Sequence, residues 1–266
     1  MSSSLEGFTS DTFTWRDRTR PIYRIGTGPA VLVLAELPGI TPAVADFARR
    51  VARMGCTAVV PSLFGKPGKA PNQRYLARSA MAVCVSREFT LLARRSSSPI
   101  TDWLRALARA EHRTNGGPGV GVVGMCLTGG FALAMAVDET VVAPVMSQPT
   151  LPLRITPYHA RELALSEADL ARVRERVDVD DLCVIGLRFT GDRLVPRARF
   201  ARLQRELGDG FLAVEIDSSP TNAHGIDRSA HAVLTEELVD EPSHPTRAAL
   251  ETVLLHLRKA LLPGVR

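Results

Sequence analysis

The stretch Val122-Val-Gly-Met-Cys126-Leu-Thr-Gly-Gly-Phe-Ala-Leu-Ala-Met135 decides how this chain is read. An apolar strand runs into Gly124, one residue separates it from Cys126, and small residues then open an apolar, helix-forming run. A side chain on such a strand-to-helix turn is held out from the backbone in a strained conformation, and flanking glycines give the turn room. The first turn of the following helix adds unpaired N–H groups and the positive end of a dipole, which favour negative charge beside residue 126. The alternative is a buried structural cysteine packed beside a glycine-rich helix start.

On either side of this turn the chain alternates between strand and helix patterns. Upstream, Ala30-Val-Leu-Val-Leu-Ala35 is an unbroken apolar run between Gly28-Pro29 and Pro38-Gly39, which suits a strand buried on both faces. Thr41-Pro42 caps a helix whose apolar residues Val44, Phe47, Ala48, Val51 and Met54 form one stripe, Gly55 ends it, and a strand Cys56–Val60 follows. A helix at Asp102–Glu111 precedes the Val120–Val123 strand. Strands at Val141–Val145, Leu182–Phe189 and Phe211–Ile216 come after, and a last helix runs from Pro245 to Leu262. This succession predicts an α/β fold, a mostly parallel sheet with helices on both faces, in a single domain over residues 1–266. Residues 1–20 read as a polar lead-in ending in an edge strand near Ile22–Ile25. The stretches 62–100 and 147–181, with a short helix from Ser166, read as insertions near a site at the strand C-termini.

Bulk properties exclude several function classes. The chain has 266 residues, 45% of them hydrophobic and 23% charged, with a net charge of +5; this suits a globular protein with a substantial core. The basic residues are scattered among acids with no basic run carrying aromatics, so no nucleic-acid partner is expected. The four cysteines have neither zinc-ligand nor redox spacing, and the histidines show no metal pattern. Gly26-Thr-Gly28, Gly116-Gly-Pro-Gly119 and Gly208-Asp-Gly210 lack full phosphate-loop patterns and read as turns. No signal segment or apolar run of about 18 residues is evident. The expectations are no metal, no cofactor, no membrane and a cytoplasmic location, as a monomer or homodimer.

Downstream, Leu187-Arg-Phe-Thr-Gly-Asp192-Arg-Leu-Val-Pro196 ends a strand with an acid on the turn, followed by a helix, a strand and then histidines. Asp192 could simply cap a helix, but the order Cys, Asp, His is that of α/β-hydrolase triads. Two histidines compete for the third place. His224 lies in Asn222-Ala-His-Gly-Ile226, and His231 lies in Ala230-His-Ala-Val-Leu234.

These residues resemble the dienelactone hydrolase (carboxymethylenebutenolidase) family of α/β-hydrolases, from about Ala30 to the end of the chain. The resemblance rests on Ala35-Glu36-Leu-Pro-Gly-Ile40, Gly-Met-Cys126, Gly191-Asp192-Arg-Leu-Val-Pro196 and Ala230-His231-Ala-Val-Leu. It implies that Cys126 is the nucleophile, with Asp192 and a histidine, His231 ahead of His224, completing the triad. Glu36 then matches a glutamate that contacts the resting thiol; a carboxylate between an apolar strand and Pro-Gly is odd in a purely structural role, and a surface cap is the alternative. The N–H groups of Leu37 and Leu127 match the oxyanion hole. Arg87 stands near an arginine that binds the substrate carboxylate, a task suited to a planar charged fork, though a structural or exposed role competes with it.

One departure stands out. The family pattern is Gly-x-Cys-x-Gly-Gly, whereas Thr128 precedes Gly129-Gly130 here, by substitution or insertion, which predicts a β-branched side chain beside the thiol. The expected activity is hydrolysis of a small ester or lactone through an acyl-thioester. The alternatives are thioester hydrolysis or acyl transfer on the same residues, or a non-catalytic binding protein built on the fold.

Overall fold

The computed structural model describes residues 3–72, 99–154, 156–262 and 264. Eight strands form one sheet in the order β1-β2-β4-β3-β5-β6-β7-β8. They are β1 (Thr9–Trp15), β2 (Arg18–Ile25), β3 (Ala30–Leu34), β4 (Thr57–Pro61), β5 (Val120–Met125), β6 (Val141–Ser147), β7 (Val184–Phe189) and β8 (Phe211–Ile216). Strands β3 to β8 pair in parallel, and the β1–β2 hairpin joins antiparallel to β4.

Apolar residues on alternate sides of the strands build two layers. In β3, Val31 and Val33 face a layer with α1 (Pro42–Arg53) and the C-terminal helix, here α6 (Pro245–Leu261). Ala30, Leu32 and Leu34 face the other, with α2 (Pro99–Asn115), α3 (Gly129–Met135), α4 (Glu167–Asp180) and α5 (Arg197–Leu207). Strands buried on both faces carry unbroken apolar runs, which is why β3, β4 and β5 read as they do. Thr41 accepts from the Val44 amide at 3.2 Å and starts α1, as its sequence context predicts.

Two expectations need correction. Residues 9–25 are a strand hairpin, not a polar lead-in with one edge strand; Trp103 of α2 fixes it by donating to the Arg18 carbonyl (3.1 Å) and packing edge-on against Phe13. The helix after Ser166 is 14 residues long, and it is the crossover between β6 and β7, so only the first half of 147–181 is irregular. Among the described residues no helix is long and apolar enough to cross a membrane.

Candidate active site

The site begins at the end of β5. Its neighbours in the sheet are β3 and β6, with Leu34 opposite Gly124 and Met125 opposite Ser147. Parallel strands end together, so the residues that follow β3, β5 and β6 meet at one edge. Cys126 takes a left-handed backbone conformation, φ 56°, which is uncommon outside glycine and turns its side chain out of the strand path. Gly124 makes the tight turn passable: a Cβ there would lie 2.3 Å from the Thr128 carbonyl oxygen.

Thr128 does not crowd the thiol. Its side chain points under the turn, fully buried, where Oγ1 donates to the Leu34 carbonyl at 2.7 Å and accepts from the Met125 amide at 2.8 Å. Its hydroxyl ties the elbow to β3.

Asp192 and His231 come from the connections after β7 and β8, beyond β6 in the sheet. The loop after β7 carries Asp192, whose Oδ1 accepts from the Leu194 amide at 2.8 Å, while Oδ2 lies 2.6 Å from His231 Nδ1. Ala230, Val233 and Leu234 anchor the histidine loop in the core. Nε2 of His231 is buried and meets no well-directed partner. Burial opposes the imidazolium, but the bond to Asp192 and the neighbouring Cys126 outweigh it and bring the His231 pKa up to about 10. Cys126 thus lies near the imidazole without a well-aligned hydrogen bond to it.

His224 stands elsewhere. It is exposed, its amide is held by Asn222 at 3.2 Å, and its ring packs edge-on against His244 with centroids 5.3 Å apart. The structure pairs His231, not His224, with Asp192.

Glu36 is buried just beyond β3, but its partners differ from those the resemblance implies. Thr235 donates to Oε1, and Gln148 Nε2 donates to Oε2 at 2.9 Å. Ser147 in turn donates to Gln148 Oε1, which fixes the amide. Neither carboxylate oxygen is bonded to Cys126. Burial raises the Glu36 pKa, and the donors from Thr235 and Gln148, with His231 nearby, offset only part of that effect.

The partner of the thiol is Thr150, which sequence reasoning did not single out. Its hydroxyl donates to Cys126 Sγ at 3.1 Å and its amide to the Cys126 carbonyl at 3.0 Å. Arg199 of α5 is fully buried and donates to the carbonyls of Pro149 (2.6 Å), Pro152, His159 (3.4 Å) and Glu162 (2.9 Å), holding the loop that carries Thr150. Burial pushes the Arg199 pKa down to about 10, so the guanidinium stays charged at neutral pH. The signal available in sequence was two polar residues, Gln148 and Thr150, between a buried strand and a proline-rich loop. Leu37 and Leu127 are half-buried against one apolar layer. Arg87 lies outside the described residues. No group of three or more His, Cys, Asp or Glu among the described residues is placed to hold a metal ion.

No curated protein sequence matches the chain. A Klebsiella pneumoniae subsp. pneumoniae protein described as a candidate dienelactone hydrolase shares the fold at TM-score 0.65 and 16% identity, over 95% of this chain and 98% of that one. A dienelactone hydrolase-like promiscuous phosphotriesterase from metagenomic libraries matches at TM-score 0.57 and 16% identity, over 96% and 99%. A cold-adapted esterase from an Arctic intertidal metagenomic library matches at 0.55 and 12%, over 93% and 92%. These likenesses show the α/β-hydrolase fold. The model of the dienelactone hydrolase family matches residues 21–237, and the chain belongs to that family.

Proposed function

We propose that this protein hydrolyses a small ester or lactone with Cys126 as nucleophile, His231 as general base and Asp192 as the group that orients the imidazole. The observation that carries the reading is the 2.6 Å contact between Asp192 Oδ2 and His231 Nδ1, beside a cysteine held at positive φ on the strand-to-helix turn. Asp192 engages Nδ1 and leaves Nε2 for the thiol proton, which a His231 pKa raised to about 10 keeps on the ring at neutral pH. The Cys126 sulfur then attacks the acyl carbon, and the N–H groups of Leu37 and Leu127 hold the oxyanion. Collapse releases the alcohol, protonated by His231, and leaves an acyl-thioester. His231 next takes a proton from water, whose oxygen attacks the same carbon, and the acid departs as the sulfur regains its electrons.

Glu36 acts here as a positioning residue. By bonding Thr235 it ties the histidine loop to the end of β3, and by bonding Gln148 it ties both to the end of β6. The mechanism needs a free thiol, which suits a reducing compartment such as the cytoplasm. Arg87 is our candidate for holding a substrate carboxylate, so an Arg87→Ala variant should lose activity on anionic esters and lactones while keeping it on neutral ones. Equal rates on both classes in wild type and variant would leave a general esterase.

The deciding experiment is turnover of an activated aryl ester together with the intact mass of the protein during turnover. We expect an acyl adduct on Cys126, and loss of both adduct and turnover in Cys126→Ala. Turnover that survives this substitution rejects the nucleophile, and a wild type inert towards esters, lactones and thioesters favours a binding protein on the same fold.

A further inference from the structure

We propose that Thr150 is a further catalytic residue, whose hydroxyl stabilises negative charge on the Cys126 sulfur both in the resting enzyme and when that sulfur leaves the acyl carbon. The inference rests on Cys126 being the nucleophile. Thr150 Oγ1 stands 3.1 Å from Sγ, and its other contact within reach, the Gln148 carbonyl, is at 3.5 Å. A hydroxyl has one proton to give, and the shorter contact takes it.

The position is built rather than incidental. Thr150 is only 2% exposed, so the bond runs in a medium where water competes weakly. Its amide grips the carbonyl of Cys126 itself, while Arg199 holds the carbonyl of the preceding Pro149. Pro149 also packs so closely on the start of α3 that a Cβ at Gly129 would lie 2.8 Å from the Pro149 Cα. Three restraints thus aim one hydroxyl at one sulfur. Glu36, the other candidate partner of the thiol, has each oxygen engaged by another donor.

The step that gains most is deacylation. Water attacks the thioester carbonyl as His231 takes its proton, and the tetrahedral intermediate collapses with cleavage of the C–S bond. The bonding pair goes to sulfur, where the Thr150 O–H donates to the forming thiolate, and the imidazolium keeps the proton beside it. A donor aimed at a charge that grows in the transition state accelerates the step that forms it.

The test compares Thr150→Val, which keeps the shape, and Thr150→Ser, which keeps the hydroxyl, with wild type. Two quantities are read per active site: the rate of Cys126 alkylation by iodoacetamide against pH, and the acylation and deacylation rates of an aryl ester by stopped flow. We expect Thr150→Val to slow deacylation and neutral-pH alkylation about tenfold, the scale of one lost hydrogen bond to a charged group. Alkylation rates should converge at alkaline pH, and Thr150→Ser should recover both. If Thr150→Val does not fold, Thr150→Ala takes its place. Superimposable pH profiles and unchanged deacylation in a folded variant overturn the role of Thr150 alone. Alkylation mapping to another cysteine, or turnover surviving in Cys126→Ala, overturns the nucleophile beneath it.

Discussion

At Thr128, sequence could name the departure but not the direction of the side chain. Composition showed a bulkier residue at the elbow; only the fold shows that it faces β3, because Cys126 at positive φ turns the chain by an amount no pattern records. Thr128→Val keeps the shape but orphans the Met125 amide and the Leu34 carbonyl, so unfolding in urea should show a loss of about 2 kcal/mol, with Thr128→Ser near wild type. The pairing of Asp192 with His231 was legible for the opposite reason, since the order Cys126, Asp192, His231 is the chain order expected of an α/β-hydrolase. Thr150 was not, since a threonine in a proline-rich loop has no signature until β6 brings it to the sulfur. Glu36 yields a pH prediction. Its pKa is raised in the fold, so between the ordinary carboxylate range and the raised value the native state binds the extra proton. Its contribution is therefore complete below about 4 and is lost as pH rises through the folded value. Glu36→Gln should flatten the fall in melting temperature over this range; a slope identical to wild type contradicts the assignment. His231 is raised as well, so its own contribution is lost on rising from about 6.5 through about 10, and Glu36→Gln leaves that alkaline limb in place.

Among the elements, β3, β5, α1 and α6 could be read from sequence because burial on defined faces imposes apolar runs or stripes. The hairpin could not. β1 reads Thr-Ser-Asp-Thr-Phe-Thr-Trp and is exposed along most of its length, so it lacks the alternation that marks a half-buried strand. Its place depends on Trp103 and β2, both distant in sequence. α4 was read as short because its buried residues are only Leu170, Val173 and Arg176, the last donating to carbonyls around the end of α3 and the start of β6. α5 performs a similar service through Arg199. An ammonium cannot span four carbonyls as a planar fork does, so Arg199→Lys should cost at least about 3 kcal/mol, and limited proteolysis should shift into 149–162. An unchanged digestion pattern would show that the loop holds itself.

Across the whole molecule, the site draws on five connections of one sheet, and its ties are long in sequence. Glu36 bonds Thr235 across 199 residues and Gln148 across 112, while Asp192 and His231 are 39 apart. Contacts of that range form late, after loop-closure entropy has been overcome. A chain still emerging from the ribosome holds Cys126 long before it holds residue 231, and during that interval the thiol has neither His231 nor the loop that Glu36 secures. On the mechanism proposed above, the sulfur gains its reactivity only on completion of the native sheet, which makes its labelling rate a clock for the last step of folding. In refolding from urea, pulses of iodoacetamide near neutral pH should find fast labelling of Cys126 appearing with recovered ester turnover and lagging behind far-UV circular dichroism. Fast labelling in the first collapsed state would mean that the elbow alone activates the sulfur.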